Sequence, residues 1–345
     1  MSITMNQVEA QLLDLIQQGI PLCERPFSQI GEQVGLSEDE VIQQLSDLKK
    51  APRRVIRQIS AIFDSASLGY RSTLVAAKVD PAHLDRAAAI ISQHPGVSHN
   101  YERVNAYNLW YTLAVPPDSE LGLQGTVDLL HQLSGATATR MLPTLKLFKI
   151  GVKFNLGGGD DNPAPAKSHR PKRPAHPLTD TDKRMIRVLQ QDMPITTTPF
   201  ADWAIEAGVP VATLLQSAKR YQDEGRMRRF SAVLHHREAG FTANAMGVWV
   251  VPPEQHESFG AAAAKFPAVS HCYLRPSYSD WPYNIFTMVH ATNPAACEAV
   301  LAEIAAATGI TNYMSLYSTR EFKKTRVQYF LDDSAVWEAS QAAKV

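Results

Sequence analysis

A seven-residue frame occurs twice in this chain: Val97-Ser98-His99-Asn100-Tyr101-Glu102-Arg103 and Val269-Ser270-His271-Cys272-Tyr273-Leu274-Arg275 share V-S-H-x-Y-x-R. The recurrence is not isolated. Ser60 and Ser231 lie 171 positions apart, Gly69 and Gly240 also 171, His99 and His271 172, and Asn108 and Asn284 176. An offset that grows slowly through loops marks two diverged copies of one unit. The chain is therefore expected to fold as two like halves packed about a pseudo-two-fold axis, as a homodimer of the single unit would.

Each half reads as helices first and mixed structure afterwards. Apolar residues at 8, 12, 13, 15 and 16 predict one helix, and Phe27, Ile30 and Val34 a second. After Gly35, Ser37 and Glu40 form a capping box that opens a third helix to Leu48. The β-branched stretch from Arg53 to Phe63 follows as a wing. From Tyr70 the pattern is β-α-β-β-α-β, the ferredoxin-like split arrangement: strands near 73–79, 97–104, 108–115 and 139–154, with helices at 81–93 and 119–133. Gly157-Gly158-Gly159 and five prolines up to Pro177 predict a linker. Beyond it the programme restarts with helices at 179–190, 199–207 and 211–224 and a wing at 227–234.

The fold class expected is α+β: two tandem units, each a winged helix-turn-helix followed by a ferredoxin-like domain. The domains are 1–63, 64–156, a linker at 157–178, 179–234, 235–333 and a C-terminal tail at 334–345.

A formal net charge of zero over 345 residues gives no bulk electrostatic attraction to nucleic acid. The first recognition-helix candidate, residues 37–48, holds four acids and no base, so phosphates would repel it. No DNA binding is expected, and both helix-turn-helix modules read as structural. Cys23, Cys272 and Cys297 are too scattered for a disulfide framework or a zinc site. With no stretch of about 18 apolar residues and no basic-then-apolar start, the expectation is a soluble cytoplasmic protein.

In a strand, residues two apart share a face, so each frame would present His, Tyr and Arg together: a proton donor or acceptor, a phenol and a fixed cation, suited to an anion. The second half adds His235-His236-Arg237, Asn244, Met246 and Trp249, then Trp281 and Tyr283, and a basic stretch with Lys323, Lys324 and Arg326. The first half's counterpart, Leu145 to Gly151, has fewer cations, which places one working pocket in the second half. The bland readings stand beside these. Trp110, Trp249 and Trp281 are core residues by default, the repeated frame could be a shared hydrogen-bond network, and the terminal lysines could simply protect an exposed strand edge.

The alternation of helix-turn-helix and ferredoxin-like unit resembles the Lrp/AsnC regulators. More narrowly, Asp64 to Tyr70 with His99-Asn100-Tyr101-Glu102-Arg103 and Tyr107-Asn108-Leu109-Trp110 is similar to the first-subunit pattern of the sirohaem decarboxylases. Ala232 to Phe241, Ala243-Asn244-Ala245-Met246, His271 to Pro276 and Arg320-Glu321-Phe322-Lys323-Lys324 resemble their second-subunit pattern. The resemblance implies a fused two-subunit enzyme that removes the C12 and C18 acetate carboxyls of sirohaem, giving 12,18-didecarboxysirohaem on the way to haem d1. It departs from the family pattern at Arg103-Val104-Asn105-Ala106-Tyr107, which lacks a histidine near position 105.

On that reading His271, His236 and His99 are proton-donor candidates, and Tyr273 orients the reacting arm with Arg275. Substrate binding falls to Arg275, Arg103, Tyr101, Asn244, Met246, Trp249, Trp281, Tyr283, Lys323, Lys324 and Arg326, with Phe286 also against the ring. No cofactor is required and the protein holds no metal of its own; the substrate iron could take His236 or His271 as an axial ligand. Partners would be sirohaem, a further copy of the chain, or other proteins of the haem d1 pathway, with no membrane. The alternatives are an Lrp/AsnC-type regulator responding to haem or a metabolite, and a tetrapyrrole carrier without turnover.

Overall fold

A computed structural model describes residues 7–50, 54–150, 176–234 and 243–342. The expected linker lies outside the described residues up to position 175. Contacts divide the chain into two compact units, and each unit is assembled from segments of both halves of the sequence.

The first unit joins both helix-turn-helix segments. Helices α1 (Gln7–Gln18), α2 (Pro26–Val34) and α3 (Glu38–Lys49) lead into strand β1 (Ile56–Phe63), and later α6 (Asp180–Leu189), α7 (Ala201–Ala207) and α8 (Val211–Asp223) lead into β7 (Met227–Leu234). The capping boxes form as the residues dictate: the Ser37 hydroxyl accepts from the Glu40 amide while the Glu40 carboxylate accepts from the Ser37 amide, and Thr179 and Asp182 repeat the arrangement. The two wings pair antiparallel with each other, Ser60 opposite Ser231, in a two-stranded sheet. Leu12, Ile16, Phe27, Leu45 and Ile59 are fully buried with Ile186, Phe200, Leu214, Tyr221 and Phe230. Gln328–Asp332 belongs to this unit as well, and the Phe330 amide donates to the Tyr70 hydroxyl at 2.6 Å.

The second unit holds both ferredoxin-like segments. The first contributes β2 (Arg71–Lys78), α4 (Leu84–Gln93), β3 (Val97–Arg103), β4 (Leu109–Val115), α5 (Gly122–Ser134), β5 (Ala138–Leu142) and β6 (Lys146–Ile150). From the second come β8 (Ala243–Trp249), α9 (His256–Ala263), β9 (Val269–Leu274), β10 (Ile285–Ala291), α10 (Pro294–Thr308) and β11 (Tyr313–Lys324). All nine strands form one sheet in the order β5-β2-β4-β3-β11-β8-β10-β9-β6.

The order shows a reciprocal exchange. The first part of β11 pairs with β8 of its own half and its last part with β3 of the other. On the opposite seam, β5 pairs with β2 of its own half and β6 with β9 of the other. The edge strands β5 and β6 are separated only by residues 143–145, so the two ends of the sheet meet.

Strand alternation sorts the side chains into an outer face under helices and an inner face. Outer cores form separately, Val75, Leu109, Tyr111 and Leu130 in one half and Ala245, Trp249, Phe259 and Leu301 in the other. Inner-face residues of both halves share a third cluster: Trp110, Leu142, Met246, Val248, Trp281, Phe286 and Leu316. Full burial of each such side chain contributes roughly 1.5–3 kcal/mol. The segment read as a tail ends in helix α11 (Asp333–Ala342), whose Trp337 ring meets the buried His94 edge to face at 4.4 Å. Among the described residues no helix is long and apolar enough to cross a membrane.

Candidate functional site

The inner face of β8, β9 and β10 presents side chains in cross-strand rows. His271 lies opposite Met288, Met288 opposite Met246, and Met246 opposite Leu316. One row deeper, Tyr273 lies opposite Phe286 and Phe286 opposite Val248. Along β9 the rings of His271 and Tyr273 stack at 5.8 Å and 22°, and the Arg275 guanidinium lies 4.7 Å from the Tyr273 centroid and 5.4 Å from Phe286. His, Tyr and Arg therefore share one face. At the His271 end, Asn244 and Ile150 are exposed and His271 and His290 half-buried, so this end is the accessible one.

A β-bulge shapes this end. His271 pairs with Met288 but Val269 with Val289, which leaves Ser270 as the extra residue. Simple alternation would send Ser270 to the face opposite His271; the bulge turns its hydroxyl alongside, 2.8 Å from His271 Nδ1. The same hydroxyl is 2.8 Å from His290 Nε2 and 3.3 Å from the Met288 carbonyl. Burial, with His290 and Arg275 adding to it, pushes His271 down to about 4. The imidazole is neutral near pH 7.

The first half builds a related but different face. Ser98 is again the bulged residue, its hydroxyl 3.0 Å from His99 Nδ1 and 2.7 Å from Thr112 Oγ1. The rings of His99 and Tyr101 lie 6.0 Å apart. Across from Tyr101 sits Glu321, where the second half has Leu147 opposite Tyr273. Burial and then the Glu321 carboxylate push the Tyr101 phenol up to about 12. A carboxylate on this face opposes a polyanionic ligand; the second half's apolar Leu147 does not.

Arg103 is buried inside the unit and Arg275 is half-buried. Arg103 Nη1 donates to the Leu316 carbonyl at 2.7 Å, and Arg275 Nη1 donates to the Leu142 carbonyl and at 3.4 Å to Thr144 Oγ1. Burial lowers both guanidiniums to about 10. Neither has a carboxylate partner among the described residues, and the Nε of each is buried without a hydrogen bond.

Several residues expected at the pocket are elsewhere. Trp249 points to the outer face, fully buried between Phe259 and Tyr313, with Nε1 donating to Thr287 Oγ1 at 3.0 Å; its place in the strand puts it one residue out of phase with Met246 and Val248. Lys323 also turns outward, because a register shift in β11 separates it from Glu321, and its ammonium caps the end of α4 through the Ser92 and His94 carbonyls at 2.7 and 3.1 Å. Trp281 and Tyr283, by contrast, stay with Met246 and Phe286 in the inner-face cluster, Trp281 buried edge-on to Tyr107 and Trp110 and Tyr283 packed against it at 5.0 Å. That loop is tied down by Asp280, which accepts from Arg140 Nε at 2.9 Å and from the Tyr107 hydroxyl at 2.8 Å. Lys324 is exposed and 3.8 Å from Glu321, and Arg326 is exposed. His236 lies outside the described residues, as do His235 and Arg237.

Residues the sequence reading left unassigned complete the site: Ser270, Met288, His290 and Glu321. Strand parity from Phe286 through Met288 could have flagged His290, but nothing in the pattern announces a bulge. Among the described residues no group of three or more His, Cys, Asp or Glu is arranged to hold a metal ion.

Comparison with known proteins adds what the geometry alone leaves open. An AsnC-like ligand binding domain model matches residues 67–149 and 238–323, and a siroheme decarboxylase NirDL-like HTH domain model matches 9–57 and 182–228. A siroheme decarboxylase of Hydrogenobacter thermophilus is 38% identical over 329 residues, covering 95% of this chain and 96% of that one. This chain belongs to the siroheme decarboxylase family. The siroheme decarboxylase beta subunit of Methanosarcina barkeri is 49% identical over 151 residues, 44% of this chain and 99% of that protein, so the family also includes proteins about half as long. A crystal structure of the siroheme decarboxylase NirDL in complex with an iron-uroporphyrin III analogue superposes with a TM-score of 0.80 at 31% identity, covering 98% of this chain and 99% of that one. The siroheme decarboxylase fold is thus present here as two tandem copies of an AsnC-like domain with its helix-turn-helix.

Proposed function

We infer that this protein is a sirohaem decarboxylase, a carboxy-lyase that removes the C12 and C18 acetate carboxyls of sirohaem to give 12,18-didecarboxysirohaem. The observation that carries the site is the row His271, Tyr273, Arg275 on the inner face of β9, its histidine at the accessible end beside the apolar surfaces of Met246, Met288 and Phe286. A flat macrocycle needs such apolar surface, and its eight carboxylates need cations that are not already paired with acids. Arg275 is such a cation, and Arg103 provides a second in the other half.

Decarboxylation breaks the bond from the acetate methylene to the carboxyl carbon. CO₂ leaves, the electron pair stays on the methylene carbon in conjugation with the ring, and a proton must then be delivered there. His271 supplies it from the nitrogen turned away from Ser270. The imidazole is neutral before substrate arrives, and the carboxylates of the bound tetrapyrrole raise its proton affinity, so the substrate charges its own acid. Tyr273, stacked on the imidazole, orients the reacting arm. Burial of that arm against Met288 and Leu147 favours loss of neutral CO₂ over retention of the anion. No added cofactor enters this chemistry, because the ring itself takes up the charge.

The second half carries the competent face, since Glu321 places a carboxylate where the first half would have to receive an anion. The test is anaerobic incubation of the purified chain with sirohaem, read by product mass. Loss of two CO₂ units is expected. An unchanged mass with a shifted Soret band would make the protein a carrier or sensor instead.

A further inference from the structure

We propose that His290 is a positioning residue for the reaction: it fixes the Ser270 hydroxyl as donor to His271 Nδ1 and so keeps the resting imidazole's proton on Nε2, facing the substrate. The proposal rests on the reading of His271 as proton donor.

The argument is one of counting hydrogens. Ser270 Oγ is in contact with three groups: His271 Nδ1 at 2.8 Å, His290 Nε2 at 2.8 Å and the Met288 carbonyl at 3.3 Å. A hydroxyl has one hydrogen to give and two lone pairs to receive. The two ring nitrogens are equally close, so the direction comes from the role of His271: a proton donor at Nε2 leaves Nδ1 bare, and the bare Nδ1 takes the serine hydrogen. The short contact with His290 then requires His290 Nε2 to be the donor. The array runs in one direction, from His290 through Ser270 to His271, and a neutral imidazole whose Nδ1 accepts must carry its hydrogen on Nε2. When the imidazolium forms in the complex, the serine hydrogen turns to the Met288 carbonyl and Oγ accepts from Nδ1. The ring keeps its orientation in both states.

The first half lacks this direction. Counted by the spacing of Asn108 and Asn284, the position matching His290 is Ala114, and Ser98 instead meets the Thr112 hydroxyl at 2.7 Å. A hydroxyl donates or accepts equally well, so nothing there commits Ser98 to donate to His99. The repeated frame V-S-H-x-Y-x-R is therefore chemically unequal in its two copies, and the difference lies in a residue outside the frame.

Outer partners of this kind are typically worth about 10–100-fold. The test uses the purified full chain with sirohaem under anaerobic conditions, and compares His290→Phe, His290→Gln, Ser270→Ala, the double variant His290→Phe with Ser270→Ala, and His271→Ala. Phe fills the space without a donor, whereas the Gln amide still donates. The expected result is a kcat at least about ten-fold lower for His290→Phe with KM within about two-fold. His290→Gln should recover most of the rate, and the double variant should be no slower than Ser270→Ala alone, because both changes remove the same array. Wild-type kcat in His290→Phe, equal slowness in His290→Gln, or losses that multiply in the double variant would overturn the proposal. An active His271→Ala would overturn the proton-donor reading beneath it. An inactive His271→Ala beside a normal His290→Phe removes the His290 assignment alone.

Discussion

Arg103 of the first half donates through Nη1 to the main-chain oxygen of Leu316 in the second, 2.7 Å away, and Arg275 of the second half donates in the same way to Leu142 of the first. Each arginine of the repeated frame thus holds a strand of the other half, β11 for Arg103 and β5 for Arg275. The two residues read from the sequence as anion binders also hold the closed sheet together. A charged donor buried against a carbonyl is typically worth about 1.5–3 kcal/mol, and Arg103→Met should destabilise the protein by that amount in urea unfolding. Arg103→Lys should not restore it, because a point charge on a flexible stem does not reproduce the planar fork.

Removal of the His271 imidazole should separate the two halves functionally. His271→Ala is expected to lower kcat by about 10²–10⁴ with sirohaem binding retained, while His99→Ala changes kcat only a few-fold. Soret titration and product mass measured on the same samples check both parts. Equal losses in the two variants would mean that the Glu321 carboxylate does not silence the first-half face.

Lys323 gives a prediction opposite to the rim role its position in a basic stretch suggests. Its ammonium caps the carbonyl end of α4 through Ser92 and His94, and Lys149 does the same for the second half by donating to the Phe266 carbonyl at 2.8 Å. Lys323→Met should cost about 1 kcal/mol of stability and leave sirohaem affinity within two-fold. A large loss of affinity with unchanged unfolding would return Lys323 to the substrate.

Stability should fall on mild acidification. Burial, with Lys323 adding to it, pushes His94 down to about 4, and the side chain is fully buried against Trp337. In the unfolded chain a histidine titrates near 6.5, so between those values the unfolded state binds the extra proton. The stabilising contribution is complete above about pH 6.5 and is lost as pH falls toward 4, by at most about 3 kcal/mol for this residue. Urea midpoints at pH 7 and pH 5 should differ in the wild type, and the gap should narrow in His94→Asn.

The sequence carried much of the architecture because its signals are local. Capping boxes at Ser37 and Thr179, the glycine stop at Gly35, which adopts φ 73°, and the alternation along β9 are each set within a few residues. The shared face of His271, Tyr273 and Arg275 follows from parity alone. The misplacement of Trp249 follows from ignoring that parity: Met246 and Val248 share the inner face, so the intervening and following odd positions face outward. Lys323 was not legible, since a register shift in β11 changes the face of everything beyond it.

What the sequence by itself determined is the duplication, the two element programmes and the identity of the residues that two copies of one frame place on a common face, because periodicity and capping act between near neighbours in the chain. The tertiary structure alone decided that the halves exchange their last strands and that an arginine from each donates to a main-chain oxygen of the other. It also turned Ser270 through a bulge into a line from His290 to His271, while Glu321 came to oppose an anion in one half only. Those features depend on contacts between residues far apart in the chain, and a one-residue slip in strand register, which composition and spacing do not encode, is enough to make or remove them.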